Sequence, residues 1–142
     1  MRRRNMRTYK LRLSPEGFAY FIDCHARIAR SLGEMIPYGM TLYVAVSILA
    51  ASPVAAWIDG DDERISKRLA GEKTYYVGYS YEIVDLIASI ARARVAEGRS
   101  ALPVGQLYLL ALRCLALISD SELRTASEQA AVQSSAADQA SH

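Results

Sequence analysis

From Arg7 to Ser14 apolar and polar residues alternate: Tyr9, Leu11 and Leu13 fall on one side of an extended chain, Thr8, Lys10 and Arg12 on the other. That period of two predicts a half-buried strand. The pattern then changes. Ser14-Pro15-Glu16 supplies an N-cap, a proline at N1 and an acid in the first turn of a helix. Phe18, Phe21, Ile22, Cys24 or His25, Ile28 and Leu32 continue it at helical spacing until Gly33 ends it. A second helix is predicted from Pro37 through Leu42, Val44, Val46, Ile48 and Leu49. It stops by Ser52, because Pro53 disfavours α geometry at the residue before it.

The same order returns further on. Tyr75, Val77 and Tyr79 alternate with Thr74, Tyr76 and Gly78 between Lys73 and Ser80. A helix follows from Ser80-Tyr81-Glu82 to Gly98, and another from Pro103 to about Ser119. A shift of 66 residues superimposes Thr8 on Thr74, Tyr9 on Tyr75, Ser14 on Ser80, Glu16 on Glu82, Pro37 on Pro103 and Gly39 on Gly105. Ala45/Ala111, Leu49/Leu115 and Ala50/Ala116 also coincide, giving nine identities over 46 aligned positions. Average composition alone would give roughly three. Shared Ser, Pro and Gly at equivalent junctions mark a tandem repeat.

The chain therefore divides into a basic arm (1–6), a first strand–helix–helix unit (7–52), a linker (53–72), a second unit (73–119) and a tail (120–142). The linker carries an acidic turn at Asp59 to Glu63, read as surface connection, with a short helix around Ile65, Lys67, Arg68 and Leu69. The tail, rich in Ala, Ser and Gln with sparse apolar positions, is expected to be disordered.

A strand cannot stand alone in water, because its backbone N–H and C=O groups need partners. Two strand–helix–helix units meet that need by pairing their strands antiparallel over four helices. The expected fold class is α+β and mostly α: two ribbon–helix–helix units forming a pseudo-dimer within one chain. Such a chain completes its fold as a monomer, with side-by-side association on DNA still open to it.

Charge gives this fold a partner. The net charge is only +2, but residues 1–118 hold 16 Lys+Arg against 11 Asp+Glu, while 119–142 hold one Arg against four acids. A basic body with Arg2, Arg3, Arg4, Arg7, Lys10 and Arg12 ahead of the first acid points to a polyanion. A two-stranded ribbon fits the major groove of B-DNA, where base edges are distinguishable. Thr8, Lys10, Arg12, Thr74, Tyr76 and Gly78 are the candidate readers of double-stranded DNA. Arg2, Arg3, Arg4, Arg7 and Lys73, with the helix starts at Gly39 and Gly105, are candidate phosphate contacts.

In this arrangement the chain resembles the tandem ribbon–helix–helix accessory proteins of conjugative DNA transfer, the TraY type and the VirC type that binds near a T-DNA border. The resemblance is architectural over residues 7–118 and closest to the VirC type from Tyr75 to Ile118. It implies binding near a transfer origin or border, a relaxase or other transfer proteins as partners, and a relaxosome accessory role. The Gly-x-Ser-x-Ser turn of the wider superfamily is only partly present, as Gly98-Arg99-Ser100-Ala101-Leu102; the first copy has Gly33-Glu34-Met35-Ile36. Tyr76 and Gly78 stand where basic readers would be, so base reading is expected to lean on the first copy.

The alternatives are a ribbon–helix–helix transcriptional repressor, a protein-binding scaffold and a small membrane protein. Met35 to Ile58 holds no formal charge, long enough to span a bilayer. The prolines confine the helix to Pro37–Ser52, about 24 Å long and short of the roughly 30 Å hydrocarbon core. No Ser/His/Asp set, phosphate loop or useful carboxylate pair suggests an enzyme, and two histidines offer no metal site. No cofactor is expected. Cys24 and Cys114, in apolar runs, read as buried free thiols of a cytoplasmic protein.

Overall fold

The computed structural model describes residues 7–52, 64, 67–79 and 83–140, with the side chains of the last helix described as far as residue 132. The protein is α+β and mostly helical. Its elements are β1 (Arg7–Leu13), α1 (Pro15–Leu32), α2 (Tyr38–Ala51), β2 (Lys73–Tyr79), α3 (Val84–Ala96), α4 (Val104–Leu117) and α5 (Asp120–Ala140).

The two strands pair antiparallel. Lys10 faces Tyr76, its counterpart 66 positions on, and Thr8–Gly78 and Arg12–Thr74 flank that central pair. Exchanging the two copies therefore maps the ladder onto itself. Alternation puts Tyr9, Leu11 and Leu13 with Val77 and Tyr79 into the core, while Thr8, Lys10, Arg12 and Tyr76 stay exposed. Tyr75 is only half-buried, its ring stacked on Phe18 at 5.1 Å.

Capping explains the first helix. Ser14 Oγ accepts a hydrogen bond from the Gly17 amide at 3.0 Å, and Gly33 closes the helix in the left-handed region at φ 70°. Ser80, the expected cap of the next unit, lies outside the described residues. In its place the Ile83 amide donates to the Tyr9 hydroxyl at 3.1 Å, tying the start of α3 to β1.

Helix α2 is buried on nearly every side, from Gly39 to Val46 and again at Ile48 and Leu49. A helix apolar all round belongs in a core. It makes its most extensive contact with α4, its repeat counterpart, and it also packs on β2, as α4 packs on β1. This packing accounts for the uncharged stretch, and no helix among the described residues is long and apolar enough to cross a membrane.

The linker's described end is not loose. Leu69 is buried, the Ser14 amide donates to the Leu69 carbonyl at 2.9 Å, and Gly71 donates to the Arg12 carbonyl at 3.3 Å. Arg68 pairs with Glu16 across this seam, which holds the Glu16 carboxyl below its ordinary pKa. Lys67–Leu69 forms the short helical turn anticipated there. The turn at Asp59 to Glu63 lies outside the described residues.

The tail departs from expectation. It forms α5, which packs against α1 and α2 with Leu123, Ser127 and Ala130 buried. These residues fall at i, i+4 and i+7 along one face, and the small ones let the helices approach closely. Arg27 fastens the junction. Its guanidinium donates to the carbonyls of Leu115 at 2.7 Å and Ile118 at 2.7 Å, and meets Asp120 at 2.9 Å. Four groups at the junction of α4 and α5 thus converge on one arginine of α1, counting the longer contact to Ala116 at 3.4 Å.

Candidate nucleic-acid interface

The outer face of the ribbon is built by the strand period itself. With Tyr9, Leu11 and Leu13 buried, Thr8, Lys10 and Arg12 must point outward, and all three are exposed. On β2, Tyr76 is 68% exposed at the centre, between the half-buried Thr74 and Gly78. Neither Lys10 nor Arg12 forms an ion pair among the described residues. The six expected readers therefore lie on one surface: Lys10 beside Tyr76 in the middle, Arg12 beside Thr74 at one end, Thr8 beside Gly78 at the other. Among the described residues that surface carries the cations Lys10 and Arg12 and no acid.

The candidate phosphate contacts divide. Arg2, Arg3 and Arg4 lie outside the described residues. Arg7 is exposed at the start of β1, and Lys73 is exposed with Nζ 5.4 Å from the centre of the Tyr75 ring. Gly39 is buried, and a Cβ there would overlap the Gly78 carbonyl oxygen and lie 2.7 Å from Tyr79 Cβ. This glycine lets α2 close on β2. Gly105 is exposed, and a Cβ there would meet nothing within 4 Å.

The two helix starts consequently differ, although both follow a proline. Pro37 and Pro103 occupy the N-cap positions, one residue beyond Ile36 and Leu102, and neither start has a side-chain cap. At α2 the exposed group is Tyr38. Its ring packs on His25 at 4.5 Å, and His25 Nδ1 is 2.9 Å from the hydroxyl of the fully buried Thr41. Burial holds the His25 pKa below its ordinary value.

Beside α4 lies a groove of about 680 Å³ along the side of β1 away from β2. It is lined by Thr8 to Leu13, Ala70, Gly71, Pro103 to Gln106, Tyr108 and Leu109. Neither cysteine forms a disulfide, and burial drives the Cys24 thiol pKa up to about 12, where it is inert. Cys114 is only partly buried, a departure from expectation. Among the described residues no group of His, Cys, Asp and Glu is placed to hold a metal. No protein-family model, curated protein or solved structure matches the chain.

Proposed function

We propose that the two halves form a ribbon–helix–helix pseudo-dimer that binds double-stranded DNA, with the outer face of the ribbon in the major groove. The observation that carries this reading is the strand register. It is centred on the equivalent pair Lys10 and Tyr76, so the ladder has the symmetry of the 66-residue repeat and gathers the unpaired cations on one solvent face. A ribbon of this width enters the major groove, where Arg and Lys recognise guanine O6 and N7 and Thr reads either a polar edge or a thymine methyl. Because Gly78 stands where the first copy has Arg12, the two ends read differently and the preferred site is non-palindromic. The N-terminal arginines add contacts to phosphate that strengthen binding to any sequence.

The resemblance to transfer accessory proteins supports a role beside a relaxase at a transfer origin or border. The same ribbon would serve a repressor of its own operon, and a neighbouring relaxase gene would favour the transfer role. The interface itself is tested by titrating a duplex from the protein's own locus into isotope-labelled protein. Amide shifts are expected to concentrate on residues 8–12 and 74–78. Shifts confined to α3 or α5 would contradict the assignment.

A further inference from the structure

The two edges of the ribbon are not alike. On β2 the Gly78 carbonyl meets the start of α2, so closely that a Cβ on Gly39 would overlap it. On β1 a groove of about 680 Å³ follows the edge from Thr8 to Leu13 and separates it from α4. One end of this edge is already paired. Leu13 and Ala70 form an antiparallel bridge, in which the Gly71 amide donates to the Arg12 carbonyl at 3.3 Å and the Ser14 amide to the Leu69 carbonyl at 2.9 Å. Those bonds show which residues turn their backbone away from β2. In an antiparallel ladder the groups of successive residues face opposite sides, so with Arg12 and Ser14 facing the groove, Thr8 and Lys10 face it too. Their N–H and C=O groups have no partner among the described residues. The chain that starts a third strand at Ala70 turns away into β2 at Lys73, and the rest of the edge stays open. An open edge of this kind is a template for another strand.

We infer that the β1 edge takes an extended peptide segment of a partner protein as a third strand, one in which acidic residues alternate with apolar ones. Strand geometry dictates that composition. One set of its side chains lies on the outer face beside Lys10 and Arg12, which form no ion pair among the described residues. The other set points to the groove floor at Pro103, Val104, Tyr108 and Leu109, and covers Val104, which is 48% exposed. A second copy of this chain is the wrong occupant. Pairing β1 with β1 about a twofold axis sets Lys10 and Arg12 against the same cations, and like charges across strands repel.

The added strand has a consequence for DNA. It widens the ribbon by about 4.7–4.9 Å and puts carboxylates beside the proposed readers, whereas the major groove admits a two-stranded ribbon. Peptide and duplex therefore exclude each other, and the edge controls DNA binding. That consequence rests on the DNA-binding reading above; the peptide site itself does not.

The test uses the full chain, isotope-labelled, and a synthetic peptide of about six residues, blocked at both ends, in which glutamate and valine alternate. Saturable shifts are expected at Thr8, Lys10 and Val104, with slowed hydrogen exchange at the Thr8 and Lys10 amides. The same peptide methylated on its backbone nitrogens keeps its charges and side chains but cannot donate to the edge, so it should bind about tenfold more weakly. Lys10→Glu changes an exposed side chain; it should melt like the parent and raise the peptide midpoint about threefold or more. A flat titration of the parent, or equal binding of the methylated peptide, overturns the site. Displacement of the peptide by a duplex from the protein's own locus supports the exclusion, and joint binding overturns it. If the peptide fails to bind while Arg12→Ala still loses DNA discrimination, the edge is wrong and the ribbon reading stands. If the peptide binds while Arg12→Ala discriminates as the parent does, the edge stands and the ribbon reading is wrong.

Discussion

Gly39→Ala is expected to destabilise the protein by about 3 kcal/mol, whereas Gly105→Ala should leave stability nearly unchanged or slightly raised. The two positions are equivalents in the repeat, follow the same proline and open the same kind of helix. Sequence gives no ground for treating them differently. The difference lies in what they meet. A methyl group on Gly39 would be driven into the backbone of β2 at Gly78 and toward Tyr79, neither of which can rotate aside. Either α2 shifts along the core, disturbing its packing on α4, or the ladder opens at the Thr8–Gly78 end. The same methyl on Gly105 points into open space. Chemical denaturation of the two variants checks this, and equal midpoints would mean that α2 does not close on β2 as described.

Arg27→Ala should be the most damaging change among the exposed and half-buried charges, with a loss of about 2–3 kcal/mol and a melting point lower by roughly 10 °C. The ion pair with Asp120 contributes little to this, because that carboxylate is 97% exposed. The larger part comes from the carbonyls at the end of α4. A helix leaves its last carbonyls without intrahelical partners, and here Arg27 satisfies those of Leu115 and Ile118. Lysine carries the charge without the planar fork, so Arg27→Lys should recover only a small part of the loss. Thermal melts of both variants and of Asp120→Ala separate the contributions. An Asp120→Ala variant as unstable as Arg27→Ala would show that the pair, not the carbonyls, dominates.

Strands and the first four helices are legible in the sequence because their signals are local. The alternation at Tyr9, Leu11 and Leu13 fixes which face of β1 is buried, and Ser14, Pro15 and Gly33 fix the ends of α1. The tail is not legible in the same way. Leu123, Ser127 and Ala130 keep helical spacing, but only one is strongly apolar, and burial of small side chains depends on a partner surface that α1 and α2 supply. Arg27 is hidden for a related reason, since its partners lie some ninety residues ahead. The site divides along the same line. Period-two alternation places Lys10 and Arg12 outward, whereas the closure of Gly39 on Gly78 and the exposure of Tyr38 follow from packing between elements distant in sequence.

The central claim is that the ribbon reads DNA, and Arg12 tests it most directly. Its neighbours Leu11 and Leu13 are buried while Arg12 itself is exposed and makes no ion pair among the described residues, so Arg12→Ala should fold and melt as the parent does. The measurement is equilibrium binding to a duplex from the protein's own locus against a scrambled duplex, at two salt concentrations. Loss of one arginine–guanine contact should weaken the specific duplex by about 1–3 kcal/mol and the scrambled one far less, narrowing the gap between them. Neutralising Arg2, Arg3 and Arg4 should instead weaken both duplexes alike and flatten the salt dependence. If Arg12→Ala discriminates its site as well as the parent does, the ribbon is not the reading element.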